Sequence, residues 1–248
     1  MVSGDTYYRR DLALVHHRGF GFHADRCAPG VLARLEPVRQ AGGLVVELGC
    51  GSGLLTRALV EAGHRVVATD ASPDMLELAR EVAPAAEDLR LLHLPDDPIP
   101  PCDAIVSVGH VLSYLPDAAA IDRALASAAA ALRPGGILAI DLCDLGWGVA
   151  YTDRLGEAGQ GRVGDDWAIV SRFSLPAPDR FVRDITTFVR SPDGTWRRDD
   201  ERHENTLVDT ALVPDRLAAL GLSAELAPSF GSETLPDGLV VVLAQKPA

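Results

Sequence analysis

Residues 45–53 read Val-Val-Glu-Leu-Gly-Cys-Gly-Ser-Gly, an apolar run that ends in three alternating glycines. Without Cβ atoms, Gly49, Gly51 and Gly53 can take positive φ and let a ligand pack directly on the main chain. A second apolar run ends in Asp70, 17 residues after Gly53. An acid at such a strand end can accept both hydroxyl hydrogens of a ribose. Leu54 stands where a dinucleotide fingerprint would need glycine, so the spacing argues against Gly-x-Gly-x-x-Gly. Glu47 places a carboxylate two residues before the first glycine, where it can face a cationic ligand. The plain alternative is a tight strand-to-helix turn with a capped acid.

Two histidines could move protons. His110 follows the run Ala104–Val108, and an imidazole with an ordinary pKa near ~6.5 can take a proton from an amine or hydroxyl at neutral pH. It could instead only hydrogen-bond a bound ligand or shape a pocket. His203, in Glu201-Arg202-His203-Glu204, could reach a substrate or be an exposed strand histidine. The stretch from Tyr7-Tyr8-Arg9-Arg10 to His23 is aromatic and basic. Tyr8, His16 and Phe20 are its candidates for substrate contact, against the duller reading of a surface helix with an aromatic anchor. Trp147 could wall a pocket or sit in the core.

These residues need elements to position them. Short apolar runs at Leu44–Leu48, Arg65–Asp70, Leu89–His93, Ala104–Val108 and Ile137–Leu142 predict strands. Between them, Leu54–Ala62, Pro73–Val82 and Ala118–Leu132 predict helices, with Ser72 and Asp117 as N-caps, Gly63 as a C-terminal signal and Pro134-Gly135-Gly136 as a stop. Such alternation predicts an α/β fold, a mostly parallel sheet with helices on both faces. Gly4 to Gln40 precedes it, helical in its later part. After Asp144 the pattern changes. Trp167–Ser174, Arg180–Arg190 and Thr195–Val208 predict three antiparallel strands, separated by turns at Pro176–Asp179 and Ser191–Gly194. A Gly-rich loop around 146–166 leads in; a helix at Pro214–Leu220 and strands at Ser223–Pro228 and Gly238–Gln245 close the chain. One domain is expected: 1–40 as a lid, 41–145 as the ligand-binding core, 146–212 as loop and β insertion, and 213–248 as the closing elements.

Composition removes several classes. The 248 residues carry 23 basic and 35 acidic side chains, a net charge of −12 that repels nucleic acid. Lys246 is the sole lysine, which excludes Schiff-base and Ser–Lys chemistry. Cys27, Cys50, Cys102 and Cys143 form no Cys-x-x-Cys pair, pointing to a reducing compartment. No apolar run approaches the ~20 residues of a membrane span, and the start lacks a signal-peptide core. A cytoplasmic protein with no membrane or nucleic-acid partner is expected. Metal-ligand spacing is absent; Asp141 and Asp144 read as a solvated strand end and loop.

ELGCGSG with TDAS, then CDAIVSVGHVLSYL, then LRPGGILAIDL, resemble the class I S-adenosylmethionine-dependent methyltransferases over roughly residues 40–145. The insertion resembles those of sugar-amine dimethyltransferases and glycine methyltransferase, and Ser107-Val108-Gly109-His110 is similar to the Ser-x-Gly-His stretch of the sugar-amine group. The resemblance implies a Rossmann-like sheet of seven strands with an antiparallel β insertion before the last two. It implies S-adenosylmethionine as cofactor and S-adenosylhomocysteine as product. Gly49, Gly51 and Gly53 would cradle the methionine portion, with Glu47 near its ammonium or holding the loop. Asp70 with Ala71 would bind the ribose, and Met75 would pack on the adenine. Family members carry Gly-Asp after the third strand, whereas this chain has His93-Leu94-Pro95-Asp96-Asp97; Asp96, or Leu94 through its backbone, is the candidate there. The amino-terminal segment would close over the donor, and Tyr114 of the fourth motif would join the acceptor wall. The activity implied is metal-independent, in-line methyl transfer to N or O of a small molecule. Its alternatives are a protein methyltransferase or a non-catalytic donor-binding protein. Edge strands of the insertion leave room for a homodimer. Pro100-Pro101-Cys102 is similar to the nucleophile loop of cytosine methyltransferases, but it precedes the fourth strand, which puts the thiol at the wrong edge.

Overall fold

A computed structural model describes residues 7–155 and 159–248, so the first residues of the Gly4–Gln40 segment and part of the 146–166 loop lie outside the described residues. Strands β1 (Leu44–Leu48), β2 (Arg65–Asp70), β3 (Asp88–Leu91), β4 (Cys102–Ser107), β5 (Leu132–Cys143), β10 (Ser223–Ala227) and β11 (Leu239–Gln245) form one sheet, ordered β10-β11-β5-β4-β1-β2-β3. Pairing is parallel from β5 to β3, while β11 runs antiparallel to both β5 and β10. The expected seven-stranded α/β architecture is present.

Alternate residues of each central strand enter different cores. Val46, Ile105, Ile140 and Val242 pack with α5 (Ala118–Ala131) and α7 (Val213–Ala219). Val45, Ala104, Val106 and Val241 pack with α2 (Phe22–Gln40), α3 (Leu54–Glu61) and α4 (Pro73–Val82). Period-two alternation with both sides apolar is what a sheet covered on both faces requires. Helix starts follow the cap signals: Ser72 Oγ accepts from the Met75 N–H at 3.1 Å, and Asp117 accepts from the Ala120 N–H at 2.7 Å. The helix stops at Ala131: Leu132 is already extended, at φ −66° and ψ 130°, and Arg133, the residue before Pro134, is driven out of the α region by the proline ring.

The insertion holds four strands, not three: β6 (Gln160–Val163), β7 (Trp167–Ala177), β8 (Arg180–Arg190) and β9 (Trp196–Thr206), in sequential antiparallel order. The stretch expected as a Gly-rich loop also contains α6 (Trp147–Leu155). The amino-terminal segment forms α1 (Arg10–Phe20), whose Leu12 and Val15 pack on Trp167, Ile169 and Ile185 of the insertion. Asp11 accepts two bonds from the Arg197 guanidinium, at 2.6 and 3.2 Å, and fixes the same contact. No described helix is long and apolar enough to cross a membrane.

Candidate active site

The carboxyl ends of β1, β2, β4 and β5 share one edge of the sheet, and strand order reverses between β1 and its neighbours β2 and β4. Ligands of open α/β sheets bind in the crevice above such a reversal. Here α1, the start of α2 and the inserted sheet roof that crevice, leaving a cavity of about 920 Å³. The volume is near the top of the ~300–1,000 Å³ range of small-molecule pockets.

One end is built by the glycine turn. Gly49 and Gly51 have φ of +68° and +54°. A Cβ on Gly51 would meet nothing within 4 Å, so bare main chain borders the open space. The Asp70 carboxylate accepts from the Gly51 and Ser72 N–H groups, each at 2.8 Å, and lines the cavity with Ala71, Met75 and Leu94. Burial raises its pKa, and the N–H bonds work against that rise. Glu47 also lines this end, accepts from Thr56 Oγ1 at 2.6 Å and is 3% exposed. Burial pushes its carboxyl up to about 8. Glu47 therefore borders the cavity while its carboxylate is tied to α3 through Thr56.

Two residues expected here sit elsewhere. Gly53 is off the cavity wall; at φ +80° it precedes α3, and a Cβ would stand 3.1 Å from Ala79 of α4, so its bareness serves helix packing. Asp96 is exposed and also off the wall, because the 93–97 turn folds back on itself through the Asp96 and Asp97 N–H bonds to the His93 carbonyl.

The roof is tied to the turn. Ser72 Oγ donates to the Tyr8 carbonyl at 2.8 Å, and His17 Nδ1 lies 2.9 Å from Ser52 Oγ. Tyr8, His16 and Phe20 all line the cavity.

At the far end, His110 occupies the left-handed region at φ +53°, uncommon for a residue with a side chain. Asp141 holds it there, accepting from the Gly109 N–H at 2.9 Å and the His110 N–H at 2.7 Å. Asp141 is fully buried rather than solvated, which corrects the sequence expectation. The His110 ring lies nearly parallel to Tyr114, 5.8 Å between centroids, with Trp147 on its other neighbour contact at 5.5 Å. Its Nδ1 is buried with no hydrogen-bond partner among the described residues. Burial first, then the Arg183 guanidinium, holds the imidazole well below its usual pKa, so it is neutral. Trp147 is both core and wall, 5% exposed and lining the cavity.

His203 corrects the picture of an exposed strand histidine. It is fully buried and off the wall, 2.9 Å from Glu201 through Nε2 and 3.4 Å from the Tyr114 hydroxyl through Nδ1. Burial pushes the imidazole down and the Glu201 carboxyl up. It meets Tyr114 rather than the cavity.

Arg183, Tyr151 and Phe181 line the same end and were not singled out in the sequence. Phe181, Arg183 and Ile185 alternate along β8, so strand parity was the signal once the register is known. Cys102 starts β4 at the opposite edge, as expected, and all four cysteines are free and buried. Among the described residues no His/Cys/Asp/Glu group is arranged to hold a metal ion.

The sequence profile of the family described as "Methyltransferase domain" matches residues 45–136. An uncharacterized methyltransferase of Mycobacterium tuberculosis (strain H37Rv) is 36% identical over 180 residues, 70% of this chain and 69% of that protein. The chain spans about half the length of other curated relatives it matches, 45% and 48%. Among solved structures, an S-adenosylmethionine-dependent methyltransferase from Clostridium acetobutylicum superposes with a TM-score of 0.79 at 16% identity, covering 95% of this chain and 98% of the other. The sugar N-methyltransferase KedS8 from Streptoalloteichus gives 0.74 at 21% identity, covering 100% and 97%. At these identities the two structures speak for the fold.

Proposed function

This chain belongs to the S-adenosylmethionine-dependent methyltransferases, and on that premise we propose that it moves a methyl group from S-adenosylmethionine to a nitrogen or oxygen of a small molecule. The observation that carries the reading is the continuity of one cavity, with the glycine turn and Asp70 at one end and His110 at the other. The residues fit the donor. Bare main chain at Gly51 accepts close approach, the Asp70 carboxylate can take ribose hydroxyls, Met75 and Leu94 offer apolar surface to the base, and Glu47 offers an acid to a cation.

When bound, the donor supplies a methyl carbon already activated by its sulfonium, so the scheme asks for no metal and no covalent enzyme intermediate. The chain's own work is to orient the acceptor in line with that carbon and to exclude water, through α1 and the inserted sheet. His110, neutral and with Nδ1 unpartnered among the described residues, accepts the acceptor's proton. Asp141 fixes the backbone that aims it, and Tyr114 and Trp147 fix its ring. A general base contributes ~10²–10⁴ when its pKa lies near the working pH, and the lowered pKa of His110 puts it at the low end of that range.

The test is a methyl-labelled donor assay against amines, sugars and phenols, beside a protein extract. Labelled small product is expected, and His110→Ala should lower turnover by ~10²-fold or more with donor affinity unchanged. Label appearing only in the extract's proteins would reject the small-molecule reading, and wild-type turnover in His110→Ala would reject the base.

A further inference from the structure

The cavity reverses the charge balance of the protein. Acids outnumber basic residues 35 to 23 in the chain, yet the cavity wall carries Glu47 and Asp70 against three arginines, Arg154, Arg162 and Arg183. Both acids sit at the glycine turn, the end suited to a cationic donor. The arginines all come from α6 and the inserted sheet; Arg162 lies over Phe20 and Phe22, while Arg154 and Arg183 stand beside Tyr151 and Tyr114.

The three differ in how they are committed. Arg162 donates to the Gly19 carbonyl and covers the Phe20 and Phe22 rings. Arg154 is exposed and lies over Tyr151. Arg183 points from the inner face of β8, opposite His203 in the strand register. One of its terminal nitrogens donates to the Tyr114 hydroxyl and its side chain also meets that of Tyr8, while its Nε is buried with no hydrogen-bond partner among the described residues. No carboxylate among the described residues lies within ion-pair distance of it. A guanidinium partly taken out of water without a counter-charge is costly, and an unpaired buried N–H of this kind calls for an explanation, which the counter-charge of a ligand would supply. Its field reaches the rest of the acceptor end: after burial, it is the next cause that holds His16, His110 and His203 neutral. None of these histidines therefore competes with it as a cation.

We propose that Arg183 is the recognition residue for an anionic group, a carboxylate or phosphate carried by the methyl acceptor. The Tyr114 hydroxyl anchors one end of the guanidinium, and the remaining N–H edge meets the acid, in the planar, forked geometry arginine offers to carboxylates and phosphates. The anion then sits on the side of the cavity away from Glu47 and Asp70, which orients the acceptor with its nucleophile toward the donor end. This inference rests on the methyltransferase reading above for the word acceptor, and on the cavity alone for the anion.

Calorimetric titration with three matched probes tests it: benzoate, phenyl phosphate and neutral benzamide, each with and without S-adenosylhomocysteine. Wild-type protein should bind one of the anions about 10- to 100-fold tighter than benzamide, the range of a charged hydrogen bond. Preference for benzoate assigns a carboxylate, and preference for phenyl phosphate assigns a phosphate. Arg183→Met should erase that excess and leave benzamide binding unchanged, while Arg183→Lys should keep part of it. If Arg183→Met fails to fold, Arg183→Gln, checked by its thermal unfolding, carries the same comparison. Equal binding of all three probes, no binding of either anion, or an excess that survives the loss of the guanidinium would each overturn the proposal. A protein that takes the anions but ignores S-adenosylhomocysteine would overturn the donor reading and leave the anion site standing.

Discussion

At the scale of single residues, the site depends on carboxylates that the fold has taken out of water, and each answers burial differently. Asp141 is paid back by two backbone N–H groups, Asp70 likewise, but among the described residues Glu47 has only the Thr56 hydroxyl. Its pKa near 8 means that it holds a proton at pH 7 in the free protein. A cation arriving beside it favours the ionised form, so the proton should leave on binding. Affinity for S-adenosylhomocysteine, whose ammonium is cationic, should therefore rise from pH 6 to pH 8. The calorimetric heat at pH 7 should differ between buffers of different ionisation enthalpy. Glu47→Gln should flatten both dependences. Identical heats in all buffers for the wild type would show that Glu47 does not meet the cation. The sequence made Glu47, Asp70 and His110 legible through their places beside glycines and strand ends. Asp141 was not: it is one acid inside the apolar run Ile137–Leu142, and its buried partners come from a different strand's loop, which spacing cannot reveal.

At the scale of elements, the roof depends on a few bonds between segments far apart in the chain. Glu201 on β9 accepts from the Tyr8 and Arg9 N–H groups, at 2.8 and 2.9 Å, and from there Tyr8 reaches Ser72. Glu201→Ala leaves both N–H groups without their acceptor and removes the partner of His203, a loss of about 2–4 kcal/mol. Amide hydrogen exchange across residues 8–20 should quicken in that variant while exchange in β1 and β4 stays slow, and the KM for the donor should rise. Unchanged exchange in α1 would show that the roof is held without Glu201. The boundaries of β1, β2, α4 and β8 were readable to the residue, because buried runs and caps mark them sharply. β6 was not, since Gln160–Val163 is exposed throughout and shows no apolar alternation. α6 was hidden by the glycines around Trp147. His203 was misread for a related reason: β9 looks charged overall, yet Glu201, His203 and Asn205 share the buried face.

For the whole molecule, the division of labour follows from topology. A parallel sheet buried on both sides gathers strand ends at one edge, and the order reversal opens the crevice there. Two additions, α1 before the sheet and the β6–β9 insertion within it, turn an open crevice into a roofed cavity with an acidic end and a basic one. The donor half was legible from sequence because its loops are local: strand, glycine turn and helix follow one another within residues 44–61. The acceptor half was legible only in part: Tyr8, His16, Phe20, His110, Tyr114 and Trp147 were named from their local sequence and line the cavity, but Tyr151, Phe181 and Arg183 were not, because only the folded register brings α6 and β8 to that wall. The central claim is that an adenosyl nucleoside lies across the tips of β1 and β2. A crystal structure of the protein soaked with S-adenosylhomocysteine tests it most directly. Density should cover Gly51, with both ribose hydroxyls within hydrogen-bond distance of the Asp70 carboxylate. Nucleoside density at any other place, or none at saturating ligand, would contradict it.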